Sequence, residues 1–125
     1  MNNMNNPENN GDHDHSENCA AETAIQNMSG KWTVRIMMEL LESPKRPCQL
    51  YKALPGISSK VLNQRLKHLR DIGVINQINK SDRTLHTEYQ LTELGKSFEN
   101  VITELEDFGK KMEASSTERM IQTGK

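Results

Sequence analysis

The sequence predicts a mainly α-helical fold with one small β-hairpin, a winged helix-turn-helix that pairs two copies through its first and last helices. Three observations predict it. An amphipathic helix over 57–72 shows water a row of Ser, Lys, Asn and Gln, a strand-turn-strand pattern follows at once through Leu91, and the basic residues gather in that same part of the chain. With 125 residues, one domain is expected.

The elements are justified in chain order. Residues 1–18 are Asn-rich, with Asp, Glu and His and little apolar content beyond methionine, too little to offset the entropy of ordering, so a disordered tail is expected. That segment lacks the basic start and apolar run of a signal peptide, and no stretch has the apolar length of a membrane span, so a cytoplasmic protein is expected. The domain is expected over 19–113, with a frayed tail over 114–125. Its first helix, 19–28, carries Ala21, Ala24, Ile25 and Met28 on one side. Gly30 separates it from a second, 31–42, where Trp32, Ile36, Met37, Leu40 and Leu41 repeat at helical spacing. Ser43-Pro44 stops that helix, and Pro47 starts a short third one with Leu50, Tyr51 and Leu54 facing inward.

Pro55-Gly56 is the turn before the helix of greatest interest. Ser58 or Ser59 caps its start, and Gly73 suits the position just past its end. At 100° per residue Val61, Leu62, Leu66, Leu69 and Ile72 share one side, whereas Ser59, Lys60, Asn63, Gln64, Lys67 and His68 share the other. Asn and Gln bond adenine in bidentate fashion and Lys reaches guanine edges or phosphate, so the second face has the chemistry of a major-groove reader. Arg65 falls in the apolar arc and is expected to be a half-buried ion-pair partner. Val74 to Ile78 and Leu85 to Leu91 then read as two strands around a Ser81-Asp82-Arg83-Thr84 turn, with Lys80 and Arg83 at the tip, placed for phosphate or a minor groove.

Net charge is −1 overall, which favours no partner. Its distribution does. Residues 1–30 hold five acidic and no basic residues, residues 31–89 hold eleven Lys/Arg against five Asp/Glu, and residues 90–125 hold five against seven. The positive charge lies with the reading helix, as a phosphate-binding surface requires.

The last helix, from Thr92, shows Leu94, Phe98, Val101, Ile102, Leu105, Phe108 and Met112, more apolar length than one small layer buries. A second subunit is expected to cover part of it, with dimer contacts from Ile25, Met28, Phe98, Val101, Ile102, Leu105 and Phe108. A two-fold dimer also suits double-stranded DNA, since paired reading helices match half-sites roughly 34 Å apart, or a multiple of that.

Gly30-Lys31-Trp32-Thr33, Leu54-Pro55-Gly56-Ile57-Ser58, Val61-Leu62 with Arg65-Leu66 and Leu69, Gly73, and Glu88-Tyr89 with Leu91-Thr92 and Leu94-Gly95 occur in an order and spacing that resembles the HxlR-type, MarR-like winged-helix transcription regulators. The resemblance spans about Cys19 to Met112. It implies a small dimeric bacterial repressor or activator with the 57–72 helix in the major groove, and a cysteine just ahead of the first helix that meets oxidants or thiol-reactive compounds. Cys19 holds that place. Two departures stand out: Pro47-Cys48 replaces the family's aromatic residue, adding a second thiol, and Arg83-Thr84-Leu85-His86 lacks its proline pair.

Without a secretory signal, two cysteines argue against a structural disulfide. Cys19 and Cys48 both fall near predicted helix starts, where a thiolate is favoured, and are the candidates for redox sensing. His13 and His15, flanked by Asp12 and Asp14, are poor ligands on a flexible tail, and no metal or cofactor is expected. His68 and His86 stand alone and are expected as surface contacts. No phosphate loop, carboxylate pair or nucleophilic triad is present, so no enzyme is expected. Two rival readings keep the fold: a regulator taking a small-molecule ligand at the dimer seam, and a winged-helix protein-interaction module without an operator.

Overall fold

The computed structural model describes residues 15–79 and 87–123, arranged as α1 (His15–Met28), α2 (Thr33–Glu42), α3 (Pro47–Ala53), α4 (Ser59–Asp71), β1 (Ile75–Asn79), β2 (Thr87–Leu91), α5 (Glu93–Lys96) and α6 (Phe98–Thr123). The 80–86 turn, with the expected tip residues Lys80 and Arg83 and with His86, lies outside the described residues, as does most of the tail expected to be disordered, 1–14.

Burial of one stripe from each of α2, α3 and α4 makes the core: Ile36, Met37 and Leu40, then Leu50 and Leu54, then Leu62, Leu66 and Leu69, closed by Trp32, Ile57, Val74, Ile75 and Leu91. Each such side chain contributes on the order of 1.5–3 kcal/mol when removed from water. Trp32 also covers the α3–α4 turn, where Gly56 adopts φ +97° beside its ring. Lys31 Nζ and Arg35 Cζ stand 5.0 and 5.3 Å from the centre of that ring, the distance of a cation–π contact.

The hairpin pairs β1 with β2 antiparallel, Ile75 opposite Leu91 and Asn79 opposite Thr87. Lys45 adds a bridge on the outer side of β2, its N–H donating to the Tyr89 carbonyl at 3.0 Å and its carbonyl accepting from the Tyr89 N–H at 2.8 Å. The first strand starts one residue later than the periodicity predicts, because Val74 is taken up in closing α4. Its N–H donates to the Leu69 carbonyl (3.1 Å) and the Gly73 N–H to the Arg70 carbonyl (3.0 Å), a Schellman closure that needs the φ of +86° at Gly73.

Several expectations are corrected. α1 starts at His15, ahead of the 19–28 range, and α6 continues to Thr123, past residue 113. Ala21, Ala24 and Ile25 are exposed, because among the described side chains of α1 it is Met28 that packs against the core. Tyr51 points outward, 48% exposed. The last helix is two helices. Thr92 caps the short α5, accepting from the Gly95 N–H at 3.1 Å while its hydroxyl donates to the Gly73 carbonyl at 2.7 Å, and the chain turns at Ser97 before α6.

Gly95 sits tightly against the base of the hairpin. A Cβ there would overlap the Val74 carbonyl oxygen and come within 3.1 Å of the Val74 carbonyl carbon and 3.2 Å of Leu91 Cδ2. Gly95→Ala is therefore expected to destabilise the fold by about 1–3 kcal/mol in urea unfolding, through overpacking against backbone that has nowhere to move.

Candidate nucleic-acid interface

α4 is fixed at both ends by its own sequence. Ser58, rather than Ser59, is the cap: its Oγ accepts the Val61 N–H at 3.1 Å. With Leu62, Leu66 and Leu69 locked in the core, the phase of the helix is set, and Ser59, Lys60, Asn63, Gln64 and Lys67 all emerge exposed on one face. The five α4 residues predicted to meet the major groove thus share one continuous open surface.

Not every cation on this part of the chain is equally available. Lys67 Nζ donates to Asp71 Oδ2 at 2.9 Å, an exposed i,i+4 pair. The same hydrogen bond holds the Asp71 carboxyl below the usual carboxylate range, so Asp71 is charged throughout the neutral range and this pairing is lost only on acidification below its lowered value. Lys45 is spent structurally, donating to the Glu39 carbonyl at 2.8 Å and standing 3.8 and 3.6 Å from the Glu39 and Glu42 carboxylates. Lys60 has no carboxylate partner among the described residues. Arg70 Nη1 donates to Gln77 Oε1 at 2.5 Å and so ties the end of the reading helix to the first wing strand.

Two α4 residues depart from expectation. His68 is half-buried, with Nε2 2.8 Å from the Asn27 carbonyl oxygen. That oxygen is one of the last in α1, without an intrahelical partner, and as a pure acceptor it requires the proton on Nε2. His68 therefore joins α4 to α1 and is no surface contact. Arg65 is half-buried as expected but forms no ion pair among the described residues; its guanidinium lies by Gly30, and Nε is buried without a partner.

Cys48 is the second residue of α3 and exposed, so its predicted place at a helix start holds. Cys19 is half-buried one turn inside α1, because that helix begins earlier than predicted. The two cysteines are free thiols.

The predicted dimer residues divide. Ile25 (68%), Val101 (46%), Leu105 (49%) and Phe108 (60%) are exposed, whereas Met28 and Phe98 are half-buried against the core. Ile102 is 6% exposed and turned inward, so it is removed from the set. The reason is its phase: Phe98, Val101, Leu105, Phe108 and Met112 follow the 3-4 spacing of a coiled-coil seam, and Ile102 falls outside that stripe. Ala24, Ile25, Met28, Val34, Phe98, Val101 and Leu105 line an open apolar groove of about 260 Å³ between α1 and α6. Leu94 and Met112 are also exposed, at 59% and 57%, and were left out of the predicted set.

A helix with an open polar face, a capped tight turn before it and a hairpin tied to its end is the helix-turn-helix arrangement, and the comparisons agree with it. The sequence profile described as HxlR-like helix-turn-helix matches residues 27–117. The chain belongs to the HxlR-like helix-turn-helix family. Among relatives, the Bacillus subtilis protein YtcD, an uncharacterised HTH-type transcriptional regulator, is 34% identical over 85 residues, covering 68% of each chain. A MarR-family transcriptional regulator from Enterococcus faecalis V583 superposes with a TM-score of 0.74 at 25% identity, over 82% of this chain and 94% of that one. Quinone-bound YodB from B. subtilis superposes with a TM-score of 0.66 at 26% identity, over 74% and 98%. This HxlR-family protein is thus a helix-turn-helix transcriptional regulator, a DNA-binding protein and not an enzyme. Among the described residues, no helix is long and apolar enough to cross a membrane.

The Lys67–Asp71 pair makes a specific prediction for such a protein. Asp71→Asn removes a negative charge from the reading face and frees Lys67. Affinity for duplex DNA is expected to rise a few-fold, and the slope of log K against log salt to steepen by up to about 0.9, at an unchanged melting temperature. Fluorescence anisotropy across a salt series checks it.

Proposed function

We propose that this protein regulates transcription as a homodimer on a two-fold-symmetric operator, with α4 of each subunit in the major groove and Lys80 and Arg83 of the wing reaching the adjacent backbone or minor groove. The observation that carries this reading is the coexistence of two uncovered surfaces of opposite chemistry: the polar face of α4, and the apolar seam of Ile25, Val101, Leu105, Phe108 and Met112 on α1 and α6. Water favours covering the second and leaves the first for a polar, anionic partner. Pairing two copies through α1 and α6 covers the seam and presents two reading helices at once.

Thiol-reactive compounds are the signal we assign to Cys19. The residue lies in the helix that supplies Ala24, Ile25 and Met28 to the apolar groove; addition of its sulfur to a quinone ring carbon breaks the ring C=C π bond, the pair moves to the carbonyl oxygen, and that oxygen takes up a proton as the thiol loses one, which loads the helix with a bulky group. The likeness to YodB, which is quinone-bound in one of its structures, supports this assignment.

The dimer is tested by sedimentation of Leu105→Asp/Phe108→Asp. That variant is expected to run as a 14.3 kDa monomer and to bind a selected palindromic duplex about 10²-fold or more weakly, because the two half-sites no longer act together. Lys67→Ala is expected to weaken all duplexes alike, whereas Asn63→Ala or Gln64→Ala lowers discrimination between sequences by about 1–3 kcal/mol. Equal affinity of the unaltered protein for selected and scrambled duplexes would overturn the operator reading.

The sensing assignment has its own test. DNA binding by the unaltered protein is expected to fall on treatment with a quinone, and binding by Cys19→Ser to persist. An unchanged response in Cys19→Ser removes Cys19 from the mechanism.

A further inference from the structure

Between α3 and α4 an open cleft of about 300 Å³ is lined by Pro47, Cys48 and Tyr51 on one side and by Ser59, Leu62 and Asn63 on the other. We propose that this cleft receives the C5-methyl group of a thymine, at or next to the base pair that Asn63 reads, and so adds a thymine preference to the operator. The proposal rests on the placement of α4 in the major groove.

Position is the first argument. Ser59 and Asn63 belong both to the exposed reading face and to the cleft wall, so the cleft is continuous with the surface that faces bases. A side chain bonded to adenine N6 and N7 has thymine methyls of the same and neighbouring pairs within the same groove, because the methyl projects there from every A·T pair.

The chemistry of the walls is the second. Leu62, 3% exposed, forms the floor, and the Tyr51 ring, 48% exposed, stands at the side with Pro47 and the free Cys48 thiol. Polar atoms enter from one edge, through Ser59 and Asn63. Two backbone positions at the start of α3 offer a phosphate oxygen no donor: Pro47 has no N–H, and the Arg46 N–H is already donated to Gln49 Oε1 at 2.8 Å. A small apolar group beside a polar base edge fits this lining better than a phosphate oxygen does.

The outward turn of Tyr51, unexplained by core packing, gains a reason. A tyrosine this exposed on a positioning helix presents an apolar plate next to the reading helix, where the ring meets the methyl and its hydroxyl stays in water.

The test starts from the best duplex that the full-length protein recovers from a randomised pool, with each thymine replaced singly by deoxyuridine. For the unaltered protein, one position per half-site is expected to lose about four-fold in affinity, the effect of one buried methyl. Tyr51→Ala is expected to bind thymine and deoxyuridine equally at that position, and Tyr51→Phe, which keeps the plate, to retain the difference. Cys48→Phe, a substitution at an exposed site that fills the cleft instead of opening it, is expected to level the two bases as well, and serves should Tyr51→Ala fail to fold. No methyl-sensitive position, or one that survives both Tyr51→Ala and Cys48→Phe, overturns the proposal. So does equal weakening by Tyr51→Ala and Tyr51→Phe without methyl dependence, which would make the tyrosine a backbone contact through its hydroxyl. Failure of the pool to enrich any sequence overturns instead the reading of α4 as a sequence reader, a separate result.

Discussion

The rotational phase of α4 is the constraint on which the rest of the molecule depends. Leu62, Leu66 and Leu69 meet the α2 stripe and the Leu50–Leu54 side of α3, and turning the helix by a fraction of a turn would expose them to water and bury Asn63, Gln64 and Lys67. Burying a Lys or an amide without partners costs several kcal/mol, and exposing three leucines forfeits a comparable amount, so the two penalties point the same way. The exposed polar face of α4 is therefore set by the core. The end caps add to this: Ser58 fixes where the helix begins and the Gly73 closure fixes where it stops, so neither register nor length is free to drift.

The hairpin depends on that helix in turn. Gly73 and Val74, which close α4, also accept from the hydroxyl and the N–H of Thr92 at 2.7 and 3.0 Å, while Arg70 reaches Gln77 across to β1. Lys45, ahead of α3, holds the outer side of β2. A two-stranded hairpin is marginal in water by itself, and here both strands are tied to the helix-turn-helix from opposite sides. The wing's direction is thereby a consequence of the same core that orients α4.

Much of this was legible in the sequence, because the signals were local and strong. Pro47 at the start of α3, a serine cap at 58 or 59 for α4, Gly73 past its end and the three-leucine stripe are decided within a few residues of each other, and the structure keeps each, with Ser58 taking the cap. What sequence reasoning missed depended on distant neighbours. Nothing around Thr92 says that its hydroxyl will reach the Gly73 carbonyl and split the final helix into α5 and α6. Tyr51 falls on an apolar-looking helix but meets no third layer, so it turns outward. His68 has the helical address of a surface residue, and it is the arrival of the α1 end, 41 positions earlier in the chain, that half-buries it. For Ile102 a signal did exist: the 3-4 spacing of Phe98, Val101, Leu105, Phe108 and Met112 excludes it, and grouping all apolar residues of α6 into one stripe concealed that. At the candidate site, the α4 face was legible from periodicity alone, whereas the adjoining cleft was not, because its other wall comes from α3 and depends on how the two helices cross.

The placement of α1 joins these surfaces into one system. Its apolar residues Ala24, Ile25 and Met28 form one wall of the groove whose other wall is α6, and its last turn accepts the proton of His68, which belongs to the reading helix. Among the described residues, α1 meets the rest of the chain chiefly through Met28 and this hydrogen bond, so it is attached at one end and otherwise open to a partner. An element held at one point transmits displacement through that point. A displacement at Ile25 or at Cys19 is carried by the same helix that ends at His68 in α4. The apolar groove and the polar face of α4 are consequently joined through the end of α1, by Met28 in the core and by the His68–Asn27 hydrogen bond.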